Sequence, residues 1–177
     1  LSRHLDHLKS SVVAGFNVTC VGDDRSYSYL PSRAGDTLAD RVAMHALRHV
    51  APGFVSYSFL DRGSDERQYC SPGVDLPVAS VMRTKYLAYP EYHTSKDNLT
   101  LITPEGLYGG YNAIRHCLQC LERNEILKCT VLCEPQLSPR GLYPTLSTKQ
   151  QTALVATVMD LIAFADGTRD LLAIAET

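Results

Sequence analysis

The chain has 177 residues, a length that suits one medium-sized domain, or one domain and a small appendage, and its hydrophobic fraction of 45% and charged fraction of 20% are ordinary for a globular protein. Its formal net charge of -2 argues against a nucleic-acid-binding surface, which is normally basic. No apolar run approaches the roughly 20 residues that a membrane span needs. The N-terminus lacks the apolar centre of a signal peptide, and because it begins with Leu1 rather than Met we expect a fragment or a processed product. The neighbours of the six Cys are mostly apolar, so we expect reduced thiols and a cytoplasmic protein.

The first half of the chain predicts two helices and three strands. Leu1, Leu5 and Leu8 have helical spacing, and Thr37 can cap a helix that follows it. Apolar and β-branched runs bounded by Gly, Pro and Asp indicate the strands. The predicted elements are helices over the first ten residues and 38–50, strands over 12–21, 54–60 and 78–82, and a long loop over 61–77.

The second half of the chain predicts three more helices and one strand. Thr103, Pro104 and Glu105 stand in the order expected at a helix start, and the apolar spacing continues to about Asn124. A short strand is predicted over 129–132, followed by a Pro-rich linker, and Ser147 or Thr148 can cap a helix that ends at Phe164. The turn over 166–168 is predicted to end that helix and cap another through residue 175, as in a helix-turn-helix. Strands alternating with helices favour an α/β fold with a mostly parallel sheet flanked by helices.

A dense set of polar residues opens the long loop. Asp65 and Glu66 are suited to hold a substrate ammonium group, and Arg67 is suited to pair with a substrate carboxylate. Arg83 and Tyr86 follow the predicted strand over 78–82 and are candidates for the same cleft. From composition alone, a binding pocket and an ordinary solvated loop stay equally open.

A single histidine, His93, stands in a second polar loop, with Asp97 four residues on as a candidate hydrogen-bond partner for the imidazole. The segments Gly-Ser-Asp-Glu-Arg-Gln-Tyr over 63–69 and Tyr-His-Thr-Ser-Lys-Asp-Asn over 92–98 carry a family resemblance. The chain resembles the aminopeptidase-like proteins that are linked with polysaccharide biosynthesis and related to bacterial zinc aminopeptidases. In that family the histidine of the second segment is a zinc ligand.

The resemblance implies a zinc-dependent hydrolase that acts on a peptide or amide bond of a small substrate. It implies a zinc exopeptidase-like domain over residues 1–133, followed by a linker and an incomplete winged-helix-like module over 134–177. In the intact protein His93 would bind one zinc ion. The loop that carries Asp65, Glu66, Arg67 and Tyr69 would bind the substrate together with Arg83.

The remaining parts of the family's site have no counterpart in this sequence. The other zinc ligands and the general-base glutamate lie before the matched region, so no catalytic residue is assigned. The two-metal relatives have an aspartate where this chain has Thr19, which favours one zinc ion over two. His4, Asp6 and His7 fall on the polar side of the first helix, and we interpret them as surface residues.

Two alternatives remain. Cys117, Cys120, Cys129 and Cys133 have the spacing of a four-thiolate zinc site, but the first pair falls inside a predicted helix, which favours six reduced thiols instead. Truncation or lost ligands would leave a non-catalytic binding module with a helical tail. The charges of that tail nearly balance, which argues against a nucleic-acid partner, and a homo-oligomer is left open.

Overall fold

The structure, a computed structural model, describes residues 1–142 and 149–177, and the side chains of residues 149–152 are left out of the description. The chain divides into one unit over Leu1–Glu122 and a second over Arg123–Thr177. No helix among the described residues is both long and apolar enough to cross a membrane.

The first unit is built around a four-stranded sheet. Its strands are β1 (Gly15–Asn17), β2 (Ser28–Leu30), β3 (Val55–Ser56) and β4 (Val78–Met82), in the spatial order β1-β4-β2-β3. β1 pairs with β4 and β2 with β3 in parallel, whereas β2 and β4 are antiparallel. All five residues of β4 are buried, as expected for a central strand covered on both faces.

The helices of this unit are α1 (Leu5–Ser11), α2 (Leu38–Val50), α3 (Glu66–Tyr69) and α4 (Pro104–Arg123), with short 3-10 turns at Ser2–His4 and Phe59–Asp61. Both α2 and α3 pack against β4. From α1, Leu8 packs on a buried apolar cluster of Cys70, Leu76 and Val78. The predicted α/β fold with a mostly parallel sheet and flanking helices is confirmed.

Local capping explains why the two long helices start where the sequence predicts. Thr37 and Asp40 form a reciprocal capping box at the start of α2. The buried Asp40 carboxylate also accepts hydrogen bonds from Tyr29 and Ser32, which ties the helix start to β2. Thr103 accepts a hydrogen bond of 2.9 Å from the backbone N–H of Gly106 at the start of α4.

Two predicted strands are much shorter in the structure, and one strand was missed. The strand predicted over 12–21 is only Gly15–Asn17, because Val13 and Val18 are exposed and Cys20 has a left-handed backbone with φ of 49°. The strand predicted over 54–60 is only Val55–Ser56, since a capped 3-10 turn follows it. β2 was not predicted, although it lies in the middle of the sheet. The strand over 78–82 is confirmed.

The second unit contains β5 (Ile126–Lys128), a 3-10 turn at Ser138–Arg140, α5 (Lys149–Phe164), β6 (Asp166–Asp170) and α6 (Leu171–Ala175). β5 pairs antiparallel with β6. Asp170 caps α6 by accepting a hydrogen bond of 2.8 Å from the N–H of Ala173.

The predictions for this unit are partly right. α5 ends at Phe164 and α6 at Ala175, as predicted, whereas the predicted caps Ser147 and Thr148 lie outside the described residues. The strand predicted over 129–132 is wrong, since the strand that pairs is 126–128. The turn predicted over 166–168 is part of β6. The predicted domain boundary between residues 133 and 134 stays a prediction.

Candidate functional site

A cleft of about 420 Å³ lies at the carboxyl edge of the parallel strands β1 and β4. Ligands of open α/β sheets bind in crevices at this edge, because the loops that leave the strands meet there. One wall is the segment after β1, a second is the loop that precedes α4, and the third is the first turn of α4. The lining residues are Thr19, Cys20, Val21, Gly22, Asp23, Tyr89, Tyr92, His93, Asp97, Leu101, Ile102 and Leu107.

His93 lies in this cleft with an exposed side chain. Its ring stacks on the ring of Tyr92, with centroids 3.9 Å apart and planes 16° from parallel. The backbone of His93 is left-handed, with φ of 58°, a conformation that costs free energy in a residue with a Cβ. Strained backbone held in place by its surroundings is frequent at functional sites. The structure brings Asp97 and Thr19 into the same cleft, so these three sequence candidates are neighbours in space.

The opposite wall has a second left-handed residue, Cys20. Tyr89 donates a hydrogen bond of 3.7 Å to the Cys20 sulfur across the cleft. Burial is the main cause that raises the pKa of Tyr89, and this contact with Cys20 adds to it. The Tyr89 hydroxyl is therefore a neutral hydrogen-bonding group at neutral pH.

The floor of the cleft is held by Asp23. One carboxylate oxygen accepts hydrogen bonds from the Thr84 hydroxyl at 2.5 Å and from the backbone N–H of Arg25 at 3.0 Å. The other oxygen accepts from the backbone N–H of Thr84 at 2.9 Å. Because both oxygens are occupied, this buried carboxylate fixes the segment after β1 against the segment after β4.

An ion pair joins the two loops on either side of the cleft. Both terminal nitrogens of Arg25 donate to the two oxygens of Glu91, at 2.9 and 2.8 Å, in the bidentate geometry that arginine favours. The hydrogen bonds from Arg25 are the main cause that lowers the pKa of Glu91 to about 2. Glu91 lies two residues before His93, so the pair restrains the loop that carries the imidazole.

Helix α4 meets the cleft through glycines. A Cβ at Gly106 would collide with the carbonyl oxygen of Gly22, and a Cβ at Gly110 would lie 2.7 Å from the carbonyl oxygen of Val21. The helix backbone therefore rests directly on the segment after β1. No larger residue fits at these two positions without moving the wall of the cleft.

Arg83 is buried behind the cleft. Its Nε donates to the carbonyl oxygen of Asp23 at 2.7 Å, and its guanidinium lies 3.7 Å from the centroid of the Tyr27 ring. Gly109 of α4 leaves space for it, because a Cβ there would lie 2.6 Å from a terminal nitrogen of the guanidinium. The structure thus shows Arg83 in contact with protein groups, and its predicted role in substrate binding stays a prediction.

The loop that was predicted to bind substrate lies elsewhere in the same unit. Asp65, Arg67 and Tyr69 are exposed, and none of them lines the His93 cleft. Arg67 lines a separate cavity of about 320 Å³. The roles predicted for these three residues also stay predictions.

Glu66, in contrast, is fully buried. One carboxylate oxygen accepts from Tyr86 and from the backbone N–H groups of Gly63 and Ser64, and the other accepts from Asn17. Burial acts to raise the pKa of Glu66, but these hydrogen bonds outweigh it, so the pKa is lowered. The carboxylate joins β1, α3 and the segment after β4, and its predicted contact with substrate is likewise untested.

The fit of the cleft to zinc is incomplete within the described residues. A catalytic zinc ion needs about three protein ligands. Across residues 1–142 and 149–177, no three His, Cys, Asp or Glu side chains group together in a way that could hold a metal ion. Besides Cys20, whose sulfur accepts a hydrogen bond from Tyr89, His93 and Asp97 are the lining residues with suitable donor atoms, since both carboxylate oxygens of Asp23 already accept hydrogen bonds.

Several residues of the cleft were missed by the sequence analysis. Asp23 was interpreted only as turn chemistry, and the ion pair between Arg25 and Glu91 was not predicted. The concentration of tyrosines around His93 was an available signal for Tyr89 and Tyr92, because aromatic rings often line ligand pockets.

Comparison with known proteins supports the predicted family. A family model described as a domain of unknown function, DUF4910, matches residues 1–124, and a winged helix-turn-helix model matches residues 125–177. A curated protein of Clostridium acetobutylicum, described as a candidate polysaccharide biosynthesis protein with an aminopeptidase-like domain, is 39% identical over 144 residues. That match covers 81% of this chain and 33% of the relative.

A solved structure has the same fold as this chain. The crystal structure of a candidate peptidase from Clostridium acetobutylicum, at 2.37 Å resolution, matches with a TM-score of 0.84 and 34% sequence identity. The match covers 99% of this chain and 39% of that one, so the chain spans well under half the length of either relative. The resemblance to aminopeptidase-like proteins linked with polysaccharide biosynthesis is confirmed. Because its model matches 124 of the 177 residues, the chain belongs to the DUF4910 family, here followed by a winged helix-turn-helix segment.

Proposed function

We propose that the His93 cleft is part of the active site of a zinc-dependent, aminopeptidase-like hydrolase that acts on a peptide or amide bond of a small substrate. The observation that supports this most is the position of His93. Its imidazole is exposed in a cleft at the carboxyl edge of β1 and β4, on a left-handed backbone and beside a loop-restraining ion pair. The names of the similar proteins from Clostridium acetobutylicum agree with a peptidase-like role.

In this proposal His93 would supply one ring nitrogen to a single zinc ion, and the remaining ligands would come from outside the described residues. Zinc held there would supply Lewis-acid chemistry, namely polarisation of the scissile carbonyl and a lowered pKa of a bound water. Asp97, which lines the same cleft, would accept a hydrogen bond from the N–H of the other ring nitrogen and so select the tautomer that can bind metal. Thr19, at the position of a metal-binding aspartate in two-metal enzymes, contributes only a hydroxyl, which favours one ion.

The walls of the cleft suit the apolar part of a substrate. Leu101, Ile102 and the ring of Tyr92 give the cleft an apolar surface on which such a group can pack. The buried groups of Arg83 and Glu66 then act as positioning residues, because their hydrogen bonds hold the segments that form the cleft. Exposed Arg67 remains the candidate for a substrate carboxylate.

The test uses the full-length protein. His93→Ala should lower the zinc content by about one equivalent per chain and lower kcat/KM for aminopeptidase substrates at least about 100-fold. Asp97→Asn should give a smaller loss of zinc affinity, of about 10- to 100-fold, since it alters only the hydrogen bond to the ligand. His7→Ala, which removes an exposed imidazole of α1, is the matched control and should change neither quantity.

A second variant tests the proposed substrate contact. Arg67→Ala should lower kcat/KM about tenfold or more without a change in zinc content or melting temperature. Unchanged zinc content and activity in His93→Ala would refute the proposal and favour the non-catalytic binding module.

A further inference from the structure

The separate cavity of about 320 Å³ concentrates positive charge. Three arginines from three segments line it: Arg33 lies between β2 and α2, Arg62 follows the 3-10 turn at Phe59–Asp61, and Arg67 belongs to α3. None of the lining residues that the structure describes is acidic, although the whole chain has a net charge of -2. The cavity shares no lining residue with the His93 cleft. It is therefore a candidate site for an anion, since the planar guanidinium group suits recognition of carboxylates and phosphates.

The charge of Arg33 is compensated inside the protein. Its Nε donates a hydrogen bond of 2.6 Å to one carboxylate oxygen of Asp75, and a terminal nitrogen lies 2.6 Å from the same oxygen. The other oxygen of Asp75 accepts a hydrogen bond of 3.1 Å from the N–H of Gly73. Arg33 is therefore restrained beside the cavity and adds little net charge to it.

Arg62 and Arg67 keep their charges. Among the residues that the structure describes, neither forms an ion pair with a carboxylate. Nε of Arg67 donates to the carbonyl oxygen of Ser64 at 3.2 Å, and one terminal nitrogen of Arg62 donates to the carbonyl oxygen of Phe59 at 3.4 Å. These contacts restrain the two exposed side chains but leave further N–H groups of each guanidinium able to donate to a ligand. Two uncompensated positive charges thus line one cavity.

The cavity also has an apolar side. The ring centroid of Phe59 lies 5.0 Å from the guanidinium carbon of Arg62, and this ring packs against the buried cluster around Cys70. Leu60 lines the cavity with 82% of its surface exposed, and Pro72 is exposed as well. Apolar side chains beside a few charged groups are the usual lining of a small-molecule pocket. The ligand should therefore combine an anionic group with an apolar or aromatic body.

We propose that this cavity binds a small molecule that carries a phosphomonoester group on an apolar or aromatic body. Such a group has a charge of about -1.5 to -2 at pH 7 and three acceptor oxygens, which matches the uncompensated charges of Arg62 and Arg67. A carboxylate offers a single charge and two oxygens. Because the arginines line one cavity, their free N–H groups can turn toward one bound phosphate while the body of the ligand packs on Phe59 and Leu60. The inference goes beyond the proposed function, since the ligand lies outside the His93 cleft, and it gives Arg67 a partner other than a substrate carboxylate.

The test measures binding to the full-length protein carrying His93→Ala, without added metal, so that the His93 cleft does not contribute. The probe is phenyl phosphate, titrated by isothermal calorimetry. Benzoate is the matched ligand, because it keeps the ring and replaces the dianion with a single charge. We expect one equivalent of phenyl phosphate to bind at least about tenfold more tightly than benzoate. Activity is not part of the readout, so failure of the zinc proposal leaves this test intact.

The decisive comparison uses two pairs of variants with the same change in net charge. In the same background, Arg62→Gln with Arg67→Gln should weaken the binding of phenyl phosphate by more than about tenfold, because both uncompensated charges are lost. Arg3→Gln with Arg115→Gln removes two exposed arginines that line neither cavity and should leave the affinity unchanged. The single variant Arg67→Gln, on an exposed position, guards against a folding defect and should show an intermediate loss. Equal affinities of the two double variants, or no binding by the His93→Ala protein, would overturn the proposal. Benzoate binding as tight as that of phenyl phosphate would also overturn it and favour the substrate carboxylate for Arg67.

Discussion

Replacing Glu66 with glutamine isolates the contribution of a buried carboxylate to the fold. Its oxygen Oε1 accepts from the Tyr86 hydroxyl and from the N–H of Gly63, both at 2.7 Å, and from the N–H of Ser64 at 2.8 Å. Oε2 accepts from the side-chain amide of Asn17 at 2.7 Å. The side chain is fully buried, so water cannot replace these partners.

The size of the effect follows from the number of donors. If the glutamine carbonyl takes the place of Oε1, three hydrogen bonds survive but lose a charged acceptor, at a cost of about 1 kcal/mol each. The glutamine amide then faces the amide of Asn17, donor against donor. Removal of a buried charge offsets part of this cost. We expect Glu66→Gln to lower the free energy of unfolding by about 2–3 kcal/mol, and Glu66→Ala by about 4 kcal/mol.

The pKa of Glu66 determines how this difference depends on pH. Burial acts to raise this pKa above its ordinary value of 4.5, but the hydrogen bonds from Tyr86, Ser64 and Gly63 lower it below that value. A lowered pKa in the folded state means that the stabilisation is complete above 4.5 and is lost as the pH falls through the folded-state value. The parent and the Glu66→Gln variant should therefore converge in stability below pH 4.5.

Urea denaturation followed by far-UV circular dichroism measures the effect, because the chain has no tryptophan to report by fluorescence. Asp65→Asn is the matched control, since it removes the adjacent, exposed carboxylate. A free energy of unfolding of Glu66→Gln within about 0.5 kcal/mol of the parent value, or an equal loss of stability in Asp65→Asn, would refute the stabilising role of the buried carboxylate.

Three further predictions concern the cleft. Gly106→Ala should lower the free energy of unfolding by about 3 kcal/mol, because the added Cβ overpacks the contact with the segment after β1. In the control Gly53→Ala the added Cβ meets no atom within 4 Å, so the free energy of unfolding should stay within about 0.5 kcal/mol of the parent value. The same urea denaturation measures both variants. His93→Gly should be about 1 kcal/mol more stable than His93→Ala, because glycine tolerates the left-handed backbone; equal stabilities would contradict that conformation. By NMR titration Glu91 should have a pKa of about 2, returning towards 4.5 in Arg25→Gln, so that its stabilising contribution is complete above 4.5 and lost as the pH falls towards 2.

The features that the sequence predicted well depend on neighbours in the chain. The start of α2 is set by Thr37 and Asp40, and that of α4 by Thr103, each within three residues of its partner. The strand over 78–82 is buried on both faces, so it appears as a continuous apolar run. His93 and Asp97 also come from one short segment, and local spacing sufficed to place them together.

The features that were missed depend on partners distant in the chain. β2 has only three residues, and its strand conformation comes from pairing with both β3 and β4. Arg25 and Glu91 are 66 positions apart, and Asn17 and Glu66 are 49 apart. The sequence analysis predicted the same substrate-binding role for Glu66 as for its exposed neighbours, because the burial of Glu66 depends on tertiary packing that the sequence does not display.

The glycines of α4 have a consequence for the order in which the cleft is assembled. Gly106, Gly109 and Gly110 each lower the intrinsic helix propensity by about 1 kcal/mol relative to alanine, and all three lie in the first two turns. The start of α4 therefore has little tendency to be helical on its own and becomes stable when its backbone docks on the segment 21–23. We therefore expect the first turns of the helix and the wall beside them to behave as one cooperative unit, so that their amide hydrogens should exchange with solvent together, while those of the second half of α4 should keep separate protection.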